Sequence, residues 1–92
     1  MTDQQSTTIR LHPDDNVIVA RDDIAQGDRL ASEGVAANDP IPAGHKIATK
    51  VIAKDEPVRK YDQIIGFASI DIRPGDHVHT HNVVVKDFDR DY

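Results

Sequence analysis

The sequence predicts a mainly β fold: one small domain of short strands and tight turns with little helix. Three observations carry that expectation. No stretch of about a dozen residues keeps helical spacing of its apolar positions without a Gly, Pro or Asp interrupting it. The β-branched runs are brief, as in Val17-Ile18-Val19 and Ile64-Ile65-Gly66-Phe67. One short unit recurs, and its glycines fall where a chain reverses direction.

The unit reads Ala-Arg-Asp-Asp-Ile-Ala-Gln-Gly-Asp-Arg-Leu over 20–30 and Ala-Ser-Ile-Asp-Ile-Arg-Pro-Gly-Asp-His-Val over 68–78. A weaker copy lies at 48–58. Each copy follows a β-prone stretch, Val17-Ile18-Val19, Lys46-Ile47 or Ile64-Ile65-Gly66-Phe67, giving strand, turn, strand. Gly27 and Gly75 suit positive φ, and Asp55 takes that place in the weaker copy because Asp tolerates it better than most residues. Asp28 and Asp76 are expected to hold the turns by bonding nearby backbone, so these carboxylates, with Asp23 and Asp71, read as turn builders and not as a catalytic pair. Ile24, Ile52 and Ile72, with Leu30, Val58 and Val78, are expected to fill the core. The copies are unevenly spaced, which excludes a solenoid.

The connection 34–44 reads as the longest irregular segment. Asp39-Pro40 and Ile41-Pro42 favour extended backbone there, and Gly44 suggests a close approach. Residues 1–8 are polar and expected to be disordered, 9–85 form the domain, and 86–92 read as a linker or docking tail anchored by Phe88 and Tyr92.

Composition narrows the function. A chain of 92 residues without Trp, with two Phe and two Tyr, builds a small aliphatic core and gains from a partner. A net charge of −5 with no basic cluster argues against nucleic acid. No apolar run is long enough to span a membrane, no signal peptide is legible, and a cytoplasmic location is the expectation. The absence of cysteine excludes disulfides, thiolate ligands and a thiol nucleophile.

The chemistry-bearing motif is His77-Val78-His79-Thr80-His81-Asn82. On an extended strand its three imidazoles share one face while Val78 and Thr80 point the other way. His45 and Lys46 follow Gly44 at a loop-to-strand junction, where side chains can project into a cleft. Imidazoles so gathered suit proton transfer, anion binding or metal binding near neutral pH. A solvated strand edge is the plainer alternative. Asn82 is a candidate to orient a histidine or bind substrate, or else to cap the strand end, and His12 reads as exposed.

The segments Asp39 to Ala48, Ile64 to Ala68 and Asp71 to Val83, taken in order, resemble the small N-terminal domain or separate small subunit of the altronate and galactarate dehydratase family. That resemblance implies a SAF-type β-clip fold, similar to type III antifreeze protein, over about residues 10–92. It implies a hydro-lyase component that acts on a sugar acid and is inactive without a large catalytic subunit or domain. His45, Lys46, His79 and His81 are then the expected catalytic residues, with Asn82 and His77 toward substrate. It further implies a divalent metal, iron or manganese, in the assembled enzyme, with His79 and His81 as candidate ligands; two imidazoles alone bind weakly. The small subunit of a sulfolactate sulfo-lyase, which expels sulfite in place of water, and a non-catalytic β-clip module binding ligand or protein are the alternatives.

Overall fold

A computed structural model describes residues 8–30 and 32–85. Among the described residues nine short strands follow in order: β1 (Thr8–Ile9), β2 (Val17–Ala20), β3 (Arg29–Leu30), β4 (Val35–Ala36), β5 (Lys46–Ala48), β6 (Pro57–Lys60), β7 (Gln63–Ala68), β8 (His77–Val78) and β9 (Val83–Val84). No helix occurs among the described residues. They form three antiparallel sheets, ordered β1-β2-β5-β8, β3-β4 and β6-β7-β9. Thr8, read from sequence as part of a disordered start, instead pairs with Ala20 in β1. The expectations for residues 1–7 and for the tail 86–92 lie outside the described residues.

The four-stranded sheet is a wall between two cores. Successive residues of a strand face opposite ways. Val17 and Ala48 therefore enter one core with Ile52, Val58, Ala68, Ile72 and Val78. Ile18 and Ile47 enter the other with Ala20, Ile24, Leu30, Ala37 and Ile41. All six residues expected to fill the core do so.

The recurring unit has a fourth copy, in chain expected from the sequence to be irregular. Ala37, Ile41, Gly44, His45 and Ile47 repeat the spacing of Ala20, Ile24, Gly27, Asp28 and Leu30. The copies pair antiparallel in twos, Ile24 with Ile41 and Ile52 with Ile72, each pair exchanging both backbone hydrogen bonds at 2.8–2.9 Å. Two prolines and a histidine in place of the usual acid disguised this copy in the sequence.

The turns follow one plan. Gly27, Gly44, Gly75 and Asp55 all have positive φ, as expected for Gly27, Gly75 and Asp55. In three turns the acid after that residue accepts a hydrogen bond from the backbone N–H three residues earlier: Asp28 from Ala25, Glu56 from Ala53, Asp76 from Arg73. Asp23 and Asp71 accept from Ala43 and Lys54 across each pair. At Gly75 a Cβ would collide with the carbonyl of Ala36, whereas at Gly44 it would meet nothing within 4 Å. The close approach expected of Gly44 therefore belongs to Gly75; Gly44 serves only the φ of +86°.

One polar knot carries no signature in the sequence. Tyr61 and Asp62 both have positive φ in the two-residue turn between β6 and β7, a conformation costly without glycine. The Asp15 carboxylate, 0% exposed, accepts the N–H of Tyr61 at 2.6 Å and of Asp62 at 2.7 Å and holds that turn. Arg10 donates to the Asp15 carbonyl and grips Glu33 through Nε and Nη2 at 3.1 and 2.7 Å.

Candidate functional site

The site forms where the second and fourth copies meet. β5 and β8 pair Lys46 with Val78 and Ile47 with His77. Continuing that register one step sets His45 opposite His79, with His77 on the diagonal, and cross-strand neighbours of this kind bring side chains together. The His45 and His79 rings accordingly stack with centroids 4.1 Å apart at 17°. His45 Nδ1 meets His77 Nε2 at 2.8 Å, a hydrogen bond in which one ring donates and the other accepts.

A substitution in the turn frees His45 for this role. Its counterparts Asp28, Glu56 and Asp76 are engaged by the N–H three residues back, but that residue is Pro42 here and has no N–H. The turn still closes through the His45 N–H to the Pro42 carbonyl at 3.0 Å. The imidazole is left without a capping duty.

The histidine run is not a continuous strand. β8 ends at Val78, and 79–82 form a turn in which the Asn82 N–H donates to the His79 carbonyl at 3.1 Å. Asn82, 4% exposed, accepts the His79 N–H at 2.9 Å through Oδ1 and donates to the His77 carbonyl at 2.8 Å through Nδ2. Its amide fixes the backbone of both histidines, the geometry of a strand-end cap. The bend brings the His81 ring to 5.1 Å from that of His77, tilted by 38°, rather than onto a shared strand face. Asp39 accepts the His77 N–H at 3.1 Å, and Asn38 donates to the Pro74 carbonyl and to Asp76, locking the two segments together.

Burial and repulsion by neighbouring groups favour the neutral forms of His77 and His79. Desolvation, then His81, His45 and His79, hold His77 below the ordinary histidine range, with Asp39 pulling the other way. His79 is lowered by desolvation first and then by His45, Lys46 and His81. Lys46 is lowered by burial and by Lys60. Beside the histidines, Lys46, Ile65, His79, Thr80, Val83 and Val85 line an open cleft of about 180 Å³. Ring nitrogens of His45, His77 and His79 all lie within 4.8 Å of one another, while His81 stands outside that group. His12, expected to be exposed, is half-buried; its Nδ1 accepts the Asp14 N–H and its Nε2 lies 3.8 Å from Asp62, remote in sequence from this cluster.

A small all-β domain that gathers imidazoles along two paired strands, β5 and β8, and the turns beside them is thus the class that fold and site define. Residues 6–86 match the family described as the altronate/galactarate dehydratase SAF domain, and the protein belongs to that family. It is similar to altronate dehydratase of Bacillus subtilis (strain 168), with 45% identity over 76 residues. The match spans 80% of this chain but only 15% of that relative. No helix among the described residues is long and apolar enough to cross a membrane.

Proposed function

We propose that the protein is the SAF component of a sugar-acid hydro-lyase and lends side chains to an active site completed by a larger catalytic subunit or domain. The observation that carries this reading is the convergence of His45, His77 and His79 beside Lys46 at an open cleft, in a chain of this family. Dehydration of a sugar acid requires a base for the proton next to the carboxylate, positive charge for the developing enediolate, and a proton for the departing hydroxyl. Neutral His79, on the cleft, accepts or returns a proton; the hydrogen-bonded His45 and His77 pass it on. Lys46, half-buried and in no ion pair among the described residues, supplies the charge that meets a carboxylate. His81, exposed, stands with its ring 5.1 Å from that of His77 and adds a further imidazole beside the cluster.

The cleft is lined largely by apolar groups, which do not satisfy the hydroxyls of a sugar acid. The larger component supplies those partners. The divalent ion that the family resemblance implies would add Lewis acidity to the same step, and imidazole nitrogens are donors suited to such an ion.

The test combines the chain with its cognate large component and assays sugar acids for keto-deoxy acid and, in parallel, sulfolactate for sulfite. The expected result is keto-deoxy acid from the pair and none from this chain alone, with His45→Ala and His79→Ala each lowering kcat by about 100-fold or more. Full rates in both variants would remove these residues from the active site, and sulfite as the product would favour the sulfo-lyase alternative.

A further inference from the structure

We propose that His45, His77 and His79 form a three-nitrogen site that holds one divalent transition-metal ion on this domain alone, with His81 outside it. The inference rests on the proposed function for the ion's role, but its geometry stands without the lyase chemistry. With the ion bound these three rings are ligands in place of a proton relay, and proton transfer falls to Lys46 and the larger component. The donors are His45 Nδ1, His77 Nε2 and one ring nitrogen of His79.

Distance supports one ion between them. Nitrogens bonded to one ion at about 2.1 Å stand about 3.0–3.4 Å apart in octahedral or tetrahedral arrangement. The His45–His77 pair is at 2.8 Å and the whole set lies within 4.8 Å, so the nitrogens need little translation, while the stacked rings must rotate to aim their lone pairs at one point. These movements are rotations about Cβ–Cγ, a broad torsion with no deep well. They turn lone pairs that now face a neighbouring ring toward a common centre. One of the two facing nitrogens carries the hydrogen of the present contact. On entry of the ion that hydrogen passes to the same ring's other nitrogen, a tautomer change through solvent with no change of net charge.

The supporting frame is already built. Asn82 fixes the backbone of His77 and His79, Asp39 holds the His77 N–H, and the turn at Pro42 leaves His45 free. Three protein donors leave coordination positions open, as a catalytic site requires. An adjacent carboxylate and hydroxyl, the α-hydroxy acid unit of a sugar acid, can close a five-membered chelate on two of them. The other cluster, His12 with Asp14 and Asp62, is unlike this one. There His12 Nδ1 accepts a backbone N–H, so Nε2 carries the ring hydrogen and has no lone pair for a metal.

The experiment titrates the full chain with Co²⁺, followed by visible absorption, and with Mn²⁺, followed by electron paramagnetic resonance. One ion per chain is expected. His45→Ala, His77→Ala and His79→Ala should each weaken binding about 10-fold or more, while His81→Ala and His12→Ala bind as the parent does. Urea melts confirm that each variant is folded, and His77→Gln replaces His77→Ala if the latter is not. No binding at millimolar ion, parent-like affinity in a folded variant of His45, His77 or His79, or loss of binding in His12→Ala would each overturn the proposal. A chain that binds the ion while its assembled enzyme releases no keto-deoxy acid overturns the lyase reading alone. Turnover without ion binding by the chain overturns only the metal site.

Discussion

The turn carrying His45 and the turn carrying Asp76 share a backbone but divide structure from chemistry. Both reverse the chain at a glycine of positive φ, and both place a polar side chain directly after it. Asp76 is engaged from two sides, by the Arg73 N–H and by Asn38, and Gly75 beneath it presses on Ala36. His45 answers to no backbone donor, because Pro42 has removed it, and Gly44 lies in open space. The difference teaches that one repeat can be kept for stability in one copy and released for function in another. Removing a single N–H is the switch.

The largest effect that sharpens this comparison is expected at the two glycines. Both carry the same φ penalty, so alanine at Gly44 should cost about 1 kcal/mol. Alanine at Gly75 adds a collision with the Ala36 carbonyl and should cost about 3 kcal/mol or prevent folding. Urea denaturation of the two variants measures the gap; equal losses would mean that the two turns are not packed differently.

A smaller effect should appear with pH. His77 and His79 are held below the ordinary histidine value of about 6.5, so the unfolded chain binds protons before the folded one does. Their contribution is therefore complete above about pH 6.5 and is lost as pH falls through the window between that value and the lower folded ones. With a chelator present, the urea midpoint should decline from pH 7.5 to 5.5. The decline should flatten in the His77→Gln/His79→Gln double variant.

Much of this was legible in the sequence. Short runs of β-branched residues, punctuated by Gly and Asp, announced the strands and three of the four turns, since positive φ admits few residue types. The turn-building role of Asp23, Asp28, Asp71 and Asp76 followed from their recurrence. The fourth copy stayed hidden because Pro40, Pro42 and His45 stand where the other copies carry different residues. Alternation along 77–82 suggested an unbroken strand, but the Asn82 side chain satisfies the backbone of His77 and His79 locally, and a turn wins over the ladder. Asp15 left no signal, because its partners, Tyr61 and Asp62, lie far along the chain. The gathering of His45 with His77 and His79 depends on the register of β5 against β8, which the sequence does not state.

The release of His45 from structural duty is tested most directly by comparing the unfolding free energies of His45→Ala and Asp76→Ala in metal-free buffer. The account predicts that Asp76→Ala loses about 1 kcal/mol or more, the cost of a lost turn cap, while His45→Ala stays within about 0.5 kcal/mol of the parent. A His45→Ala protein destabilised as much as Asp76→Ala would contradict it, because His45 would then be part of the scaffold.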